Sequence, residues 1–183
     1  MNNTNITLTF SDYINSDSVR KFLNKLDKTN TKYPKCTNLT IYISSPGGDV
    51  DIAIELFNLI KTLDCCVKMV NTSFVNSAAI IVLLAGYERV CLPGSSFYVH
   101  SITKKLNGVY DAISLIREVQ EMNANTDKIA RLLELSTKKN KSYWKRLMCK
   151  GYIITSEKAL ELGLVHSVED YTNRTLEVLN SVD

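Results

Sequence analysis

The sequence predicts an α/β fold with a largely parallel core sheet. Short β-rich runs alternate with helical stretches that are apolar at three- and four-residue steps, and the three prolines (Pro34, Pro46, Pro93) fall at junctions between patterned segments. No internal repeat or low-complexity tract breaks the alternation, so residues 1–183 read as a single domain.

Residues 6–10 alternate apolar and polar as a short strand does, and Ser16 or Asp17 then offers an N-cap to an amphipathic helix through Val19, Phe22, Leu23 and Leu26. A polar loop runs to Pro34. Residues 39–43 form a β-rich run that stops at Ser44-Ser45-Pro46-Gly47-Gly48, after which Ile52, Ile54, Leu56, Phe57, Ile60 and Leu63 describe a mostly buried helix. Residues 65–70 read as the next strand, and 73–86 as a buried helix that is polar at its start and apolar from Ala78 to Ala85. Two short strands, 89–92 and 97–100, flank the Pro93-Gly94 turn. From 109 to 135 the apolar positions keep helical spacing over far more than an average helix, which should project or pack against another subunit. Residues 138–150 are basic around Trp144, Leu147 and Met148, and a solvated helix face is a simpler reading than nucleic-acid binding. Thr155 or Ser156 caps a helix through Ala159, Leu160 and Leu162, Gly163 stops it, and 164–168, with His166 inside, reads as the closing strand.

Composition bounds the function. Apolar residues make up 45% and charged residues 22%, enough to bury a sizeable core and incompatible with a disordered chain. The 22 Lys and Arg against 19 Asp and Glu leave +3, no electrostatic footprint for nucleic acid or an anionic membrane. No apolar run spans a bilayer and the polar start Met1-Asn2-Asn3-Thr4-Asn5 is unlike a signal peptide, so a cytoplasmic protein is expected. The five cysteines include no CxxC pair, and only His100 and His166 could join them. They read as small buried hydrophobes rather than a metal site or disulfide framework, and neither a metal nor a nucleotide cofactor is expected.

Three features carry chemistry. Pro46-Gly47-Gly48 lies between a strand and a helix, where glycine permits a turn with backbone N–H groups aimed at a ligand; a plain tight turn explains it equally. Asn76-Ser77-Ala78-Ala79 sets a serine at the start of a buried apolar helix. There it serves either as an N-cap or as a nucleophile beside oxyanion-stabilising N–H groups. His100 ends the alternating run Phe97-Tyr98-Val99, at the carboxyl end of a strand, where it is either structural or a base for a serine hydroxyl.

Taken in order, these segments resemble the proteolytic subunit of Clp protease, the ClpP-like family. Ile41 through Val50 resembles its strand and glycine turn, Asn76 through Gly86 its nucleophile helix, Pro93 through His100 its histidine strand, and Thr155 through Val165 its closing helix and strand. The resemblance covers roughly residues 6–168. It implies a Clp/crotonase-like ββα-superhelix with a protruding handle helix, the handle region falling at about 101–135. It also implies a serine-type endopeptidase that cleaves peptides or unfolded polypeptides inside an oligomeric chamber of stacked heptameric rings. Carried over residue by residue, Ser77 is the nucleophile, His100 its general base, and the N–H groups of Gly48 and Ala78 the oxyanion hole.

Two departures qualify this. The family's triad Asp falls at Gly151, between Lys150 and Tyr152, and no carboxylate stands there. The alternative is therefore a catalytically impaired structural subunit, a pseudoprotease. Only five residues precede Ile6, where the family carries a longer segment that couples to an ATPase chaperone, so dependence on such a partner is not expected. A third reading, an acyl-CoA site of the crotonase type, is disfavoured by the Ser77 and His100 pairing and the short chain.

Overall fold

The structure is a computed structural model that describes residues 4–32 and 36–169. In chain order the elements are β1 (Thr4–Phe10), α1 (Ser16–Lys32), β2 (Cys36–Ser45), α2 (Val50–Lys61), β3 (Cys66–Asn76), α3 (Ala79–Leu83) and β4 (Glu88–Cys91). They continue as β5 (Ser96–Val99), α4 (Ala112–Ser136), α5 (Lys141–Lys150), β6 (Tyr152–Thr155), α6 (Ser156–Leu162) and β7 (Ser167–Val168). Among the described residues the strands form one sheet in the order β1-β2-β3-β4-β7, all parallel, with β5 branching from β3 and β6 antiparallel to β5. The mixed α/β architecture with a parallel core sheet is as the sequence predicts.

The branch makes the site possible. β3 serves two neighbours on one edge: Lys68–Asn71 pair with β4, and Phe74–Asn76 pair with β5. Between the two stretches β3 bulges, for Ile43 opposes Asn71 while Ser45 opposes Val75. Polar side chains mend the irregularity. Buried Asn71 donates from Nδ2 to the Ser96 carbonyl (3.0 Å) and accepts from the Ser73 N–H (3.1 Å), and the Thr72 hydroxyl reaches the Ile43 carbonyl.

This corrects one expectation. Residues 73–76 are strand rather than the beginning of a helix, and α3 is only five residues, every one buried. Polarity here marks a repaired bulge, not a helix start. Other boundaries also move. α1 is capped by Asn15, whose Oδ1 accepts from the Ser18 N–H (2.9 Å) while Ser18 Oγ accepts from the Asn15 N–H (3.2 Å), so neither Ser16 nor Asp17 is the cap. α1 also continues to Lys32, where a loop was expected. α4 begins at Ala112, with Asp111 capping it through the Ser114 N–H, and leaves Val109 fully exposed outside the helix. Residues 152–155, a Tyr-Ile-Ile-Thr run rich in β-formers, add a strand that the sequence pattern did not assign. The closing strand is shorter than expected, because Leu164 and Val165 are buried in the turn after α6 and His166 lies in a bend.

Strands and helices share one hydrophobic core. Ile41, Ile43, Met69, Val75 and Phe97 from the strands meet Ala53, Leu56 and Ile60 of α2 and all of α3. Trp144 of α5 is fully buried, its Nε1–H donating to Thr137 Oγ1 (2.9 Å), so the basic segment is amphipathic with its cations outward. Buried Arg89 gathers helix ends. Its guanidinium donates to the Ser136 carbonyl at the end of α4, the Gly163 and Leu164 carbonyls after α6, and the Gly86 carbonyl beyond α3. A cation suits these C-terminal ends, where carbonyls lack intrahelical partners.

Candidate active site

The glycine turn after β2 is set against residue 14. The Ile14 N–H donates to the Gly47 carbonyl (2.8 Å) and the Asp49 N–H to the Ile14 carbonyl (2.9 Å). A side chain at Gly48 would begin 2.1 Å from the Ile14 carbonyl oxygen, and the φ angles of Gly47 and Gly48 are 99° and 149°, so both positions need glycine. Asp49 caps α2, its carboxylate accepting from the Asp51 and Ile52 N–H groups. With these groups engaged, the exposed Gly48 N–H has no partner among the described residues.

Ser77 stands at the sharp turn between β3 and α3. Its φ is +52°, the only positive φ of a non-glycine among the described residues. It does not cap α3: Ala78 is the N-cap, with no side-chain capping bond. The turn is held by the Ser77 N–H, which donates to the Tyr98 carbonyl (2.7 Å), and by the Ile80 N–H on the Ser77 carbonyl (3.1 Å). A Cβ on Gly47 would lie 2.8 Å from Ser77 Cβ and 3.2 Å from the Ala78 nitrogen, so the glycine turn and the serine turn pack backbone to backbone. The Ala78 N–H, like that of Gly48, is unpaired among the described residues. A serine in left-handed backbone at a strand-to-helix turn is the geometry of a nucleophile elbow, which lifts the hydroxyl clear of its neighbours.

His100 follows β5. Its Nδ1 lies 2.6 Å from the Ser101 carbonyl oxygen, and since a carbonyl only accepts, Nδ1 carries the proton and Nε2 of the neutral ring is left as an acceptor. Ser101 is itself anchored, its hydroxyl donating to the Met148 carbonyl of α5 (3.3 Å). Tyr98 stacks on the imidazole, ring centroids 5.1 Å apart and planes 20° from parallel. Ser77 and His100 line one small pocket with Ile80, Val99, Ile129, Leu133 and Met148. Its walls are apolar apart from these two residues. No hydrogen bond joins the two side chains among the described residues.

Gly151 caps α5 with φ +64°, its N–H donating to the Met148 carbonyl (3.1 Å). A side chain there would begin 3.0 Å from the Tyr98 hydroxyl. The sequence reading missed Ser101, because a backbone carbonyl has no side-chain signature. It also missed Tyr98, which the alternation of residues 97–100 places on the same face of β5 as His100. His166 is remote from this chemistry: its Nδ1 accepts from the Arg89 N–H (3.2 Å).

A branched parallel sheet with Ser77 and His100 lining one small pocket gives an α/β fold of the Clp type. The chain belongs to the Clp protease family, whose pattern it matches over residues 3–172. It is 26% identical over 140 residues to the "ATP-dependent Clp protease proteolytic subunit 3" of Rhizobium etli, covering 72% of this chain and 68% of that protein. It is 28% identical over 146 residues to the corresponding subunit 1 of Corynebacterium diphtheriae (73% and 65%). To subunit 2 of Treponema denticola it is 33% identical over 92 residues (49% and 46%). Among solved structures, a ClpP1 mutant from Listeria monocytogenes superposes with a TM-score of 0.80 over 91% of this chain and 92% of that one, at 21% identity, a likeness of fold.

Proposed function

We propose that the chain is a serine-type endopeptidase that cleaves peptides or unfolded polypeptides within an oligomeric chamber. The observation that carries this reading is the strained Ser77 elbow opening onto the same pocket as a histidine whose tautomer leaves Nε2 free to accept. Ser77 Oγ attacks the peptide carbonyl carbon as its proton passes to His100 Nε2. The carbonyl oxygen, now an oxyanion, takes hydrogen bonds from the Gly48 and Ala78 N–H groups, and His100 returns the proton to the departing amine. Water then hydrolyses the acyl-enzyme by the same relay. The Ser101 carbonyl holds the tautomer that a triad carboxylate would otherwise enforce. It is a neutral dipole, so it stabilises the imidazolium less, and a lower turnover than that of a full triad is expected.

A fluorophosphonate probe should label Ser77 in the assembled protein and leave Ser77→Ala untouched, with model-peptide cleavage following the same pattern. No labelling and no cleavage in the assembled protein would remove the claim. Gly151 favours one alternative, a structural subunit that completes a ring with an active relative. Cleavage by the purified chain alone would exclude it.

A further inference from the structure

We infer that Tyr98 is a positioning residue for His100, occupying the volume that a side chain at position 151 would need and supporting the imidazole through its ring face. The inference rests on the peptidase reading for its catalytic meaning but not for its geometry. A triad carboxylate fixes the tautomer and plane of its histidine and stabilises the imidazolium. In this chain those tasks are divided. The Ser101 carbonyl takes the Nδ1 proton and fixes the tautomer. The phenol ring, 5.1 Å away and nearly parallel, restrains the plane and turns its negative π face toward the charge that appears when His100 takes up the Ser77 proton.

Gly151 and Tyr98 are matched. A Cβ at 151 would begin 3.0 Å from the Tyr98 hydroxyl, and its next nearest contacts, at 3.8 Å, are ring atoms of the same residue. Tyr98 therefore fills the space in front of residue 151, and glycine there leaves the ring free to lie over His100. Alternation along β5 puts Tyr98 and His100 on one side of the strand, while Phe97 and Val99 turn into the core. Tyr98 is about one-third exposed, so its replacement does not open the core.

The test uses the full chain. Its two histidines make selective isotope labelling unambiguous, so the His100 tautomer and ring order can be read by 15N NMR in a Ser77→Ala background, independently of turnover. Tyr98→Leu should replace the single Nδ1–H tautomer signature by averaged ring-nitrogen shifts, and Tyr98→Phe should restore it. With Ser77 present, Tyr98→Leu should slow probe labelling and kcat roughly 10- to 100-fold with little change in KM. Gly151→Asp alone should gain little, whereas Gly151→Asp combined with Tyr98→Leu should exceed both single variants. An unchanged His100 ring signature in Tyr98→Leu would overturn the inference, as would equal losses in Tyr98→Leu and Tyr98→Phe. So would a large gain from Gly151→Asp alone. Absence of any Ser77 labelling bears on the peptidase reading instead, because the ring signature is read without it.

Discussion

Ser77 pays a conformational cost for its position, since left-handed backbone in a non-glycine residue costs on the order of 1–3 kcal/mol. Replacement by glycine removes that strain together with the hydroxyl. Ser77→Gly should therefore raise stability by about 1 kcal/mol in chemical denaturation while abolishing probe labelling, whereas Ser77→Ala should abolish labelling without the gain. The neighbouring Gly47 tolerates no such freedom. A methyl there meets the Asn76 carbonyl oxygen at 2.7 Å and Ser77 Cβ at 2.8 Å, and the backbone φ is 99°. Gly47→Ala should cost about 2 kcal/mol and displace the elbow, seen as a lowered Tm with labelling reduced beyond the loss of folded protein.

At the scale of elements, two arrangements were not legible in the sequence. β3 was expected to end at residue 70, yet the polar run Asn71-Thr72-Ser73 repairs a bulge that lets one strand pair with both β4 and β5. That requirement comes from the sheet and leaves no local period to detect. Arg89 similarly sits in a short apolar run and gives no hint that it ties the ends of three helices. Arg89→Met keeps the aliphatic stem and leaves four carbonyls without their donor. It should destabilise by about 3 kcal/mol in denaturant unfolding.

His166 packs beside this residue, and burial, with Arg89's positive charge adding to it, pulls its pKa below the ordinary 6.5 despite an opposing pull from Glu88. The unfolded chain then binds the proton more readily. The stabilisation from His166 is complete above pH 6.5 and is lost as pH falls through the lower folded value, because a second proton on Nδ1 also removes the acceptor for the Arg89 N–H. The denaturation midpoint should fall more between pH 7.5 and 5.5 in the wild type than in His166→Gln.

On the scale of the whole molecule, α4 joins an exposed apolar stripe to the site. Its first half exposes Ile113, Ile116 and Val119, each more than half accessible, while its second half buries Ile129, Ala130 and Leu133 and is braced by Asp127 pairing with Lys141 and Lys145 of α5. An apolar stripe of this kind on a projecting helix suits contact with further copies of the chain. Ile116→Glu with Val119→Glu should shift the sedimentation profile to smaller species without loss of helical content. Because Ile129 and Leu133 of the same helix line the Ser77 pocket, labelling should slow in the dissociated form.

What the sequence by itself determined is the order of strands and helices apart from β6, the glycine turn, and the three segments that bear Ser77, Ala78, Gly48 and His100. Each depends on local chemistry: periodicity, glycine at positive φ, and a histidine at a strand end. The absence of a carboxylate at position 151 was equally plain. Only the tertiary structure decided how His100 is held without that carboxylate. Its tautomer depends on a backbone carbonyl, and its ring plane on a tyrosine that sits where residue 151 has no side chain. Such supports arise where β5, β6 and the end of α5 converge, segments about 50 residues apart in the chain, and no pattern along one strand can announce that meeting.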